Sequence, residues 1–204
     1  MLSARSPSPR HGSGERSRGQ GGFTLNEALI MLAIFAMVLV IALPNWMRAQ
    51  TKARANDAMR GVEDTFNFAR TEALKRHSPV VLNVNVAGRS FSAFEDWDPT
   101  NQDVGSNDNG VRDGAELVIL TRSLDTALEF TADPQGGTPL STVVYSSDGS
   151  NRGHIGGDSV YFTDVKNNIF RLHVNPVTGS SRVEKWIASN TSWSPRREVW
   201  QWSY

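Results

Sequence analysis

The chain has 204 residues, equal numbers of acidic and basic side chains, and no cysteine. That length accommodates one globular domain plus an appendage, and the lack of cysteine excludes disulfides, thiolate metal sites and cysteine nucleophiles. The zero net charge hides a split: residues 78–204 carry ten basic against fifteen acidic side chains, which argues against a general nucleic-acid binder.

Residues 1–22 are rich in Ser, Gly, Pro and Arg, with four arginines against one glutamate. They cannot build a core and read as a disordered leader. Ala28 to Leu43 is then an unbroken run of sixteen apolar residues, extended by Phe23 and Leu25. At ~1.5 Å per residue, Phe23 to Leu43 spans about 30 Å, the hydrocarbon thickness of a bilayer. A buried core helix is rarely apolar on every face. A secretory signal peptide would be followed by small residues, not by Pro44, Asn45, Trp46 and Met47. Residues 23–44 therefore read as the membrane-spanning half of a helix.

Residues 45–78 read as the amphipathic half of the same helix. Ala55, Met59, Val62, Phe66, Ala69 and Ala73 recur at alternating spacings of four and three, one apolar stripe. Arg54, Asp57, Arg60, Glu63, Asp64, Arg70 and Glu72 lie largely off it. Pro44 removes the bond to the Val40 carbonyl, so the helix is expected to bend or loosen there. His77-Ser78-Pro79 ends it. From Pro79 onward the signals are those of strands: Val80–Val86, Arg89–Phe94, Ala115–Leu120, Ala127–Phe130, Ser141–Tyr145, Asp158–Phe162, Asn168–Val174, Ser181–Trp186 and Arg197–Trp202, with a hairpin turn at Asn167-Asn168. The expected class is α+β: a long N-terminal helix packed on a mostly antiparallel sheet domain over residues 79–204.

"GFTLNE" spans Gly22 to Glu27 and resembles the type III signal of the type IV pilin and pseudopilin superfamily. The resemblance implies cleavage between Gly22 and Phe23 by a prepilin peptidase on the cytoplasmic face, followed by methylation of the new Phe23 amine. Glu27 then becomes the fifth mature residue, and Pro44 falls at the twenty-second, where the family commonly has proline. The four leader arginines favour a cytoplasmic N-terminus, but Arg48, Lys52, Arg54 and Arg60 flank the other end and bring the charge rule close to a tie. The cleavage motif breaks it, and the resemblance implies a single pass through the bacterial inner membrane with the C-terminal domain in the periplasm. A carboxylate inside a bilayer costs at least ~2.5 kcal/mol unless it finds a partner. The family's partner is the cationic N-terminus of a neighbouring subunit; the alternative is a Glu27 that snorkels to the surface. Asn26 stands where the family usually has an apolar residue; the alternatives are a cap of the helix start, a bond to a neighbouring subunit, or a residue simply tolerated near the interface. Ala36 replaces the family's usual mid-span glycine.

Further resemblance points to the GspH/FimT branch: Phe66 to Leu82, "VVYSSDGSNRGH" and "IFRLHVNPVTGSSRV" look like its helix end and its strand–turn–strand endings. The branch implies a minor pseudopilin of type II secretion, at or near the tip of a periplasmic pseudopilus, with other major and minor subunits and the inner-membrane assembly platform as partners. The alternative is a FimT/FimU-like minor pilin of a type IV pilus, which in some cases binds DNA through a basic C-terminal motif. Here Ser180, Ser181 and Glu184 break that motif, which favours secretion. Arg182, Lys185, Trp193, Arg196, Arg197 and Trp200 nonetheless interleave bases with aromatics, a pattern that can stack on single strands or equally cover a sheet or meet a partner subunit.

Other constellations are weaker. Asn107, Asn109, Gly110, Asp113 and Glu116 match later positions of a calcium loop, but Gly105 stands at the first ligand position, so a solvated turn-rich loop is favoured. No hydrolase, zinc-protease or Walker motif is present. His154 and His173 read as surface or hydrogen-bonded residues. The protein is expected to be no enzyme and to need neither cofactor nor metal.

Overall fold

The computed structural model describes residues 23–97, 112, 116–195, 200 and 202. It has one long helix, α1 (Leu25–Arg76), followed by β1 (Val80–Asn85), β2 (Ser90–Glu95), β3 (Val118–Ser123), β4 (Leu128–Phe130), β5 (Thr142–Tyr145), β6 (Asn151–Ile155), β7 (Ser159–Asp164), β8 (Ile169–Val174), β9 (Ser181–Ile187) and β10 (Ser192–Ser194). Contacts divide the chain into two compact units, residues 1–45 and 46–204.

In the second unit, α1 from Trp46 onward packs on two antiparallel sheets. One has the order β3-β2-β1-β5-β6, the other β10-β9-β8-β7-β4. The six residues of the expected stripe are all buried, joined by Ala58, Thr65 and Glu72. Small side chains let the strands approach, and Met59 and Phe66 fill the space between. Phe66 meets Phe91 of β2 edge-on at 6.0 Å; Phe91 lies 6.5 Å from Phe162 of β7, and Phe130 of β4 lies 5.3 Å from Phe162. This chain of rings ties the helix to both sheets, in the offset geometries that aromatic quadrupoles favour.

The helix ends where expected. His77 adopts a left-handed φ of 53°, the conformation that closes many helices before a proline. Arg76 Nε donates to Glu72 Oε2 at 3.1 Å and its Nη1 to Glu95 Oε2 at 3.1 Å, while the Ser78 hydroxyl donates to Glu95 Oε1 at 2.6 Å. Glu72, assigned from its position to the polar face, is thus buried beneath Lys75 and Arg76. The hydrogen bond from Lys75 holds its carboxyl below the usual range, against burial, which pushes it up.

Several strands shift from their expected places. β3 begins at Val118, and next to it the Leu117 carbonyl accepts from Glu95 N beside a bulge at Ala93/Phe94. The β7–β8 turn is not centred on Asn167-Asn168. Asn167 N donates to Asp164 O, and Asn167 takes the left-handed position at φ 59°. Val165 and Lys166 are therefore the central residues, and Asn168 is buried against Asp164. β10 arises from residues without a strand signal, as the partner of β9. Of the expected terminal strand Arg197–Trp202, only Trp200 and Trp202 are described.

Two neighbouring phenylalanines test the helix register. Phe66 is fully buried and Phe68 is 39% exposed. Phe66→Ala should lower the free energy of chemical unfolding by about 3–5 kcal/mol, whereas Phe68→Ala should change it by less than about 1 kcal/mol. Equal losses would contradict the packing.

Candidate functional site

The N-terminal element starts with a reciprocal cap. The Glu27 amide donates to Thr24 Oγ1 at 3.3 Å, and Glu27 Oε2 accepts from Thr24 N and from Thr24 Oγ1, each at 2.9 Å. This capping box satisfies donors that a helix start leaves without intrahelical partners. The cap is therefore Thr24 and not Asn26. The T-x-x-E spacing ahead of an apolar run carried that information in the sequence. Phe23 is exposed at the start of the described residues, and Gly22 lies outside them. From Ala28 to Leu43 every residue is exposed, and this part of α1 is long and apolar enough to cross a membrane. Pro44 lies inside α1, and the helix continues through it. An intact turn of side chains follows, with the Thr51 hydroxyl donating to the Met47 carbonyl at 3.0 Å.

In the sheet domain, two turns that lie far apart in sequence meet. Gly149 of the β5–β6 turn and Gly179 of the β8–β9 turn both take positive φ, 75° and 68°. A Cβ on Gly179 would stand 2.9 Å from the Gly149 carbonyl, so only glycine fits there. Arg70 Nε donates to the same Gly149 carbonyl at 2.7 Å, fastening α1 to this corner.

The basic and aromatic residues of the C-terminal stretch separate onto two faces of the second sheet. On the inner face, Lys185 is buried, its ammonium 5.9 Å from the Phe170 ring and 5.2 Å from Trp202. Burial pushes the Lys185 ammonium below its usual range, opposed by the Asp164 carboxylate. Trp200 is buried against Phe170 and donates from Nε1 to the Ser194 carbonyl at 2.8 Å. On the outer face, Trp193 stacks with Trp186 and Tyr161, and the Arg171 guanidinium lies 4.6 Å over its ring. Glu184, 2% exposed, receives Arg171 Nε on Oε2 at 2.6 Å and Arg182 Nε on Oε1 at 2.7 Å. Arg196 and Arg197 lie outside the described residues.

His173 is hydrogen-bonded, as its strand position suggested: its Nδ1 lies 3.4 Å from Asp158 Oδ2 and 3.3 Å from Ser159 Oγ. Serine and aspartate thus meet the same ring nitrogen, and the Ser159 hydroxyl donates to Asp158 Oδ1. A relay needs them on opposite nitrogens, so this trio does not form a catalytic triad. Of the proposed calcium loop only Arg112 and Glu116 are described; its other ligand positions lie outside. Among the described residues no cluster of acidic and histidine side chains is arranged to hold a metal.

An apolar helix able to cross a membrane, continuing as the packing helix of an antiparallel two-sheet domain, defines the pilin-like class of α+β proteins. The family model described as type II transport protein GspH matches residues 58–182, more than half of the chain. The chain belongs to the GspH family and is, at that level, a type II secretion pseudopilin. No curated protein and no solved structure matches it. The match begins within α1 and ends at Arg182, so the signal-like N-terminus and the tryptophan-rich C-terminus both lie beyond it.

The Arg171–Glu184 pair gives a direct test of the outer face. Arg171→Met leaves a buried carboxylate with only the exposed Arg182 and should destabilise the domain by about 3–5 kcal/mol. Adding Glu184→Met should recover most of that loss in urea unfolding. A double variant no more stable than the single one would overturn the assignment.

Proposed function

We propose that this protein is a minor pseudopilin of a type II secretion system, made as a precursor, cut by a prepilin peptidase between Gly22 and Phe23, methylated on Phe23, and assembled at or near the tip of a periplasmic pseudopilus. The observation that carries this reading is the register of three features: the "GFTLNE" signal, the apolar run and Pro44, placed ahead of a domain that belongs to the GspH family. Before assembly the chain spans the inner membrane once, with the N-terminus cytoplasmic and the sheet domain periplasmic. Its work is mechanical and organisational, through other pseudopilins and the inner-membrane assembly platform.

Glu27 is the assembly residue in this reading. Thr24 supplies its carboxylate with hydrogen bonds but no charge. An ionised group within lipid remains costly by at least ~2.5 kcal/mol without a counter-charge. The methylated amine of a neighbouring Phe23 provides that cation, and it exists only after the leader is removed. Cleavage therefore licenses packing. The secretion reading is supported over the DNA-binding one by the C-terminal residues: Lys185 and Trp200 are buried, and Arg182 is engaged by Glu184. Stacking on bases requires open rings beside free cations.

Coexpression with a prepilin peptidase should yield a chain whose intact mass has lost residues 1–22 and gained one methyl. A product beginning upstream of Phe23 would overturn the proposal. Glu27→Ala should be processed normally yet be absent from sheared filaments; incorporation at the level of the unsubstituted protein would refute the charge-pairing role.

A further inference from the structure

Immediately beyond the apolar run, the sheet domain holds a cavity of about 260 Å³. Its walls are the α1 turn from Met47 to Lys52 and the β7–β8 turn from Asp164 to Asn168, with Trp202 closing one side. Three lining side chains are cationic: Arg48, Lys52 and Lys166. Asp164 is the one carboxylate among the described lining residues, and both its oxygens are bonded within its own turn. Its Oδ1 accepts from Lys166 N at 2.8 Å and Asn168 N at 2.9 Å, and its Oδ2 from Asn168 Nδ2 at 2.9 Å. Lys52 rests its ammonium 5.3 Å over the Trp202 ring. Lys52 and Lys166 are exposed, and among the described residues neither is held in an ion pair.

The position along the chain identifies the occupant. Met47 to Lys52 follow Leu43, the last residue of the apolar run, by four to nine positions. At ~1.5 Å per helical residue that is roughly 6–14 Å along α1. The headgroup layer adds about 5–8 Å to each side of the hydrocarbon. Long cationic side chains such as Arg48 and Lys52 suit a membrane surface, where an apolar stem and a charged head are both accommodated. Trp46, 69% exposed, supplies the amphipathic ring found at such boundaries.

We propose that this cavity seats the phosphate of an anionic phospholipid headgroup, with Lys52 and Lys166 as its principal cations. The proposal rests on the membrane-span reading above. An anionic lipid suits the site because the amine of a zwitterionic headgroup would be brought beside like charges. Docking holds the domain against the membrane before assembly and is given up when the subunit leaves the bilayer.

The test uses the full chain in lipid nanodiscs and reads amine acylation of each lysine by mass spectrometry. The chain has four lysines, of which Lys75, at the far end of α1, is an internal reference and Lys185 is buried. In phosphatidylglycerol discs, acylation of Lys52 and Lys166 should be slowed about fivefold or more relative to phosphatidylcholine discs, in keeping with the energy of a cation at an anionic surface. High salt should abolish the difference, and Lys75 should not change. Lys166→Gln should reduce the protection of Lys52. Equal rates in the two lipids would overturn the proposal while leaving the span intact. Protection by inorganic phosphate in phosphatidylcholine discs to the same degree would make it a free-phosphate site and overturn the lipid assignment. A chain that fails to enter either disc would overturn the span reading and this proposal together.

Discussion

The sheet domain depends on one constraint, the close approach of strands to a single stripe of α1. Four of its buried positions are alanines, Ala55, Ala58, Ala69 and Ala73. Larger side chains there would hold the sheets away and leave voids, which interiors packed at crystal density do not tolerate. Met59 and Phe66 supply the volume the alanines lack, and Phe66 begins the run of rings that joins both sheets. The stripe adds the helix to the apolar contact that Phe91 and Phe162 make between the two sheets.

At its other end the same helix is apolar enough to cross a membrane. In hydrocarbon every backbone group must find its partner within the segment, and a helix does this without help from neighbours. The vulnerable point is the first turn, where Thr24 and Glu27 bond each other reciprocally. One continuous helix carries both patterns, and what changes along it is the character of its side chains. Uniform apolarity gives way to a stripe after Pro44.

Polar groups in the domain are disposed to hold junctions. Glu72, Arg76, Ser78 and Glu95 close the point where α1 turns into β1, and the low proton affinity of Glu72 follows from the cations that cover it. Arg70 fastens α1 to the Gly149 turn, where only a glycine at position 179 permits the second turn to approach. Arg171 and Arg182 neutralise the buried Glu184. Such pairs are weak contributors to stability in themselves but costly to break singly.

Much of this was legible in the sequence. Length and apolarity marked a helix able to cross a membrane, the spacing of Ala55 to Ala73 marked the buried face, and Pro79 marked the helix end, because each is a local property of the backbone or its periodicity. The strand count was nearly legible for the same reason, through β-branched and aromatic runs. What lay beyond local pattern was decided by partners distant in the chain. Glu72 is buried because Arg76 and Glu95 converge on one corner, and β10 forms because β9 offers an edge. Lys185 lies inward because the side-chain period of two sets its face and Trp202 covers it. Residue type and spacing determine which segments form; which charges become buried depends on what tertiary packing sets beside them.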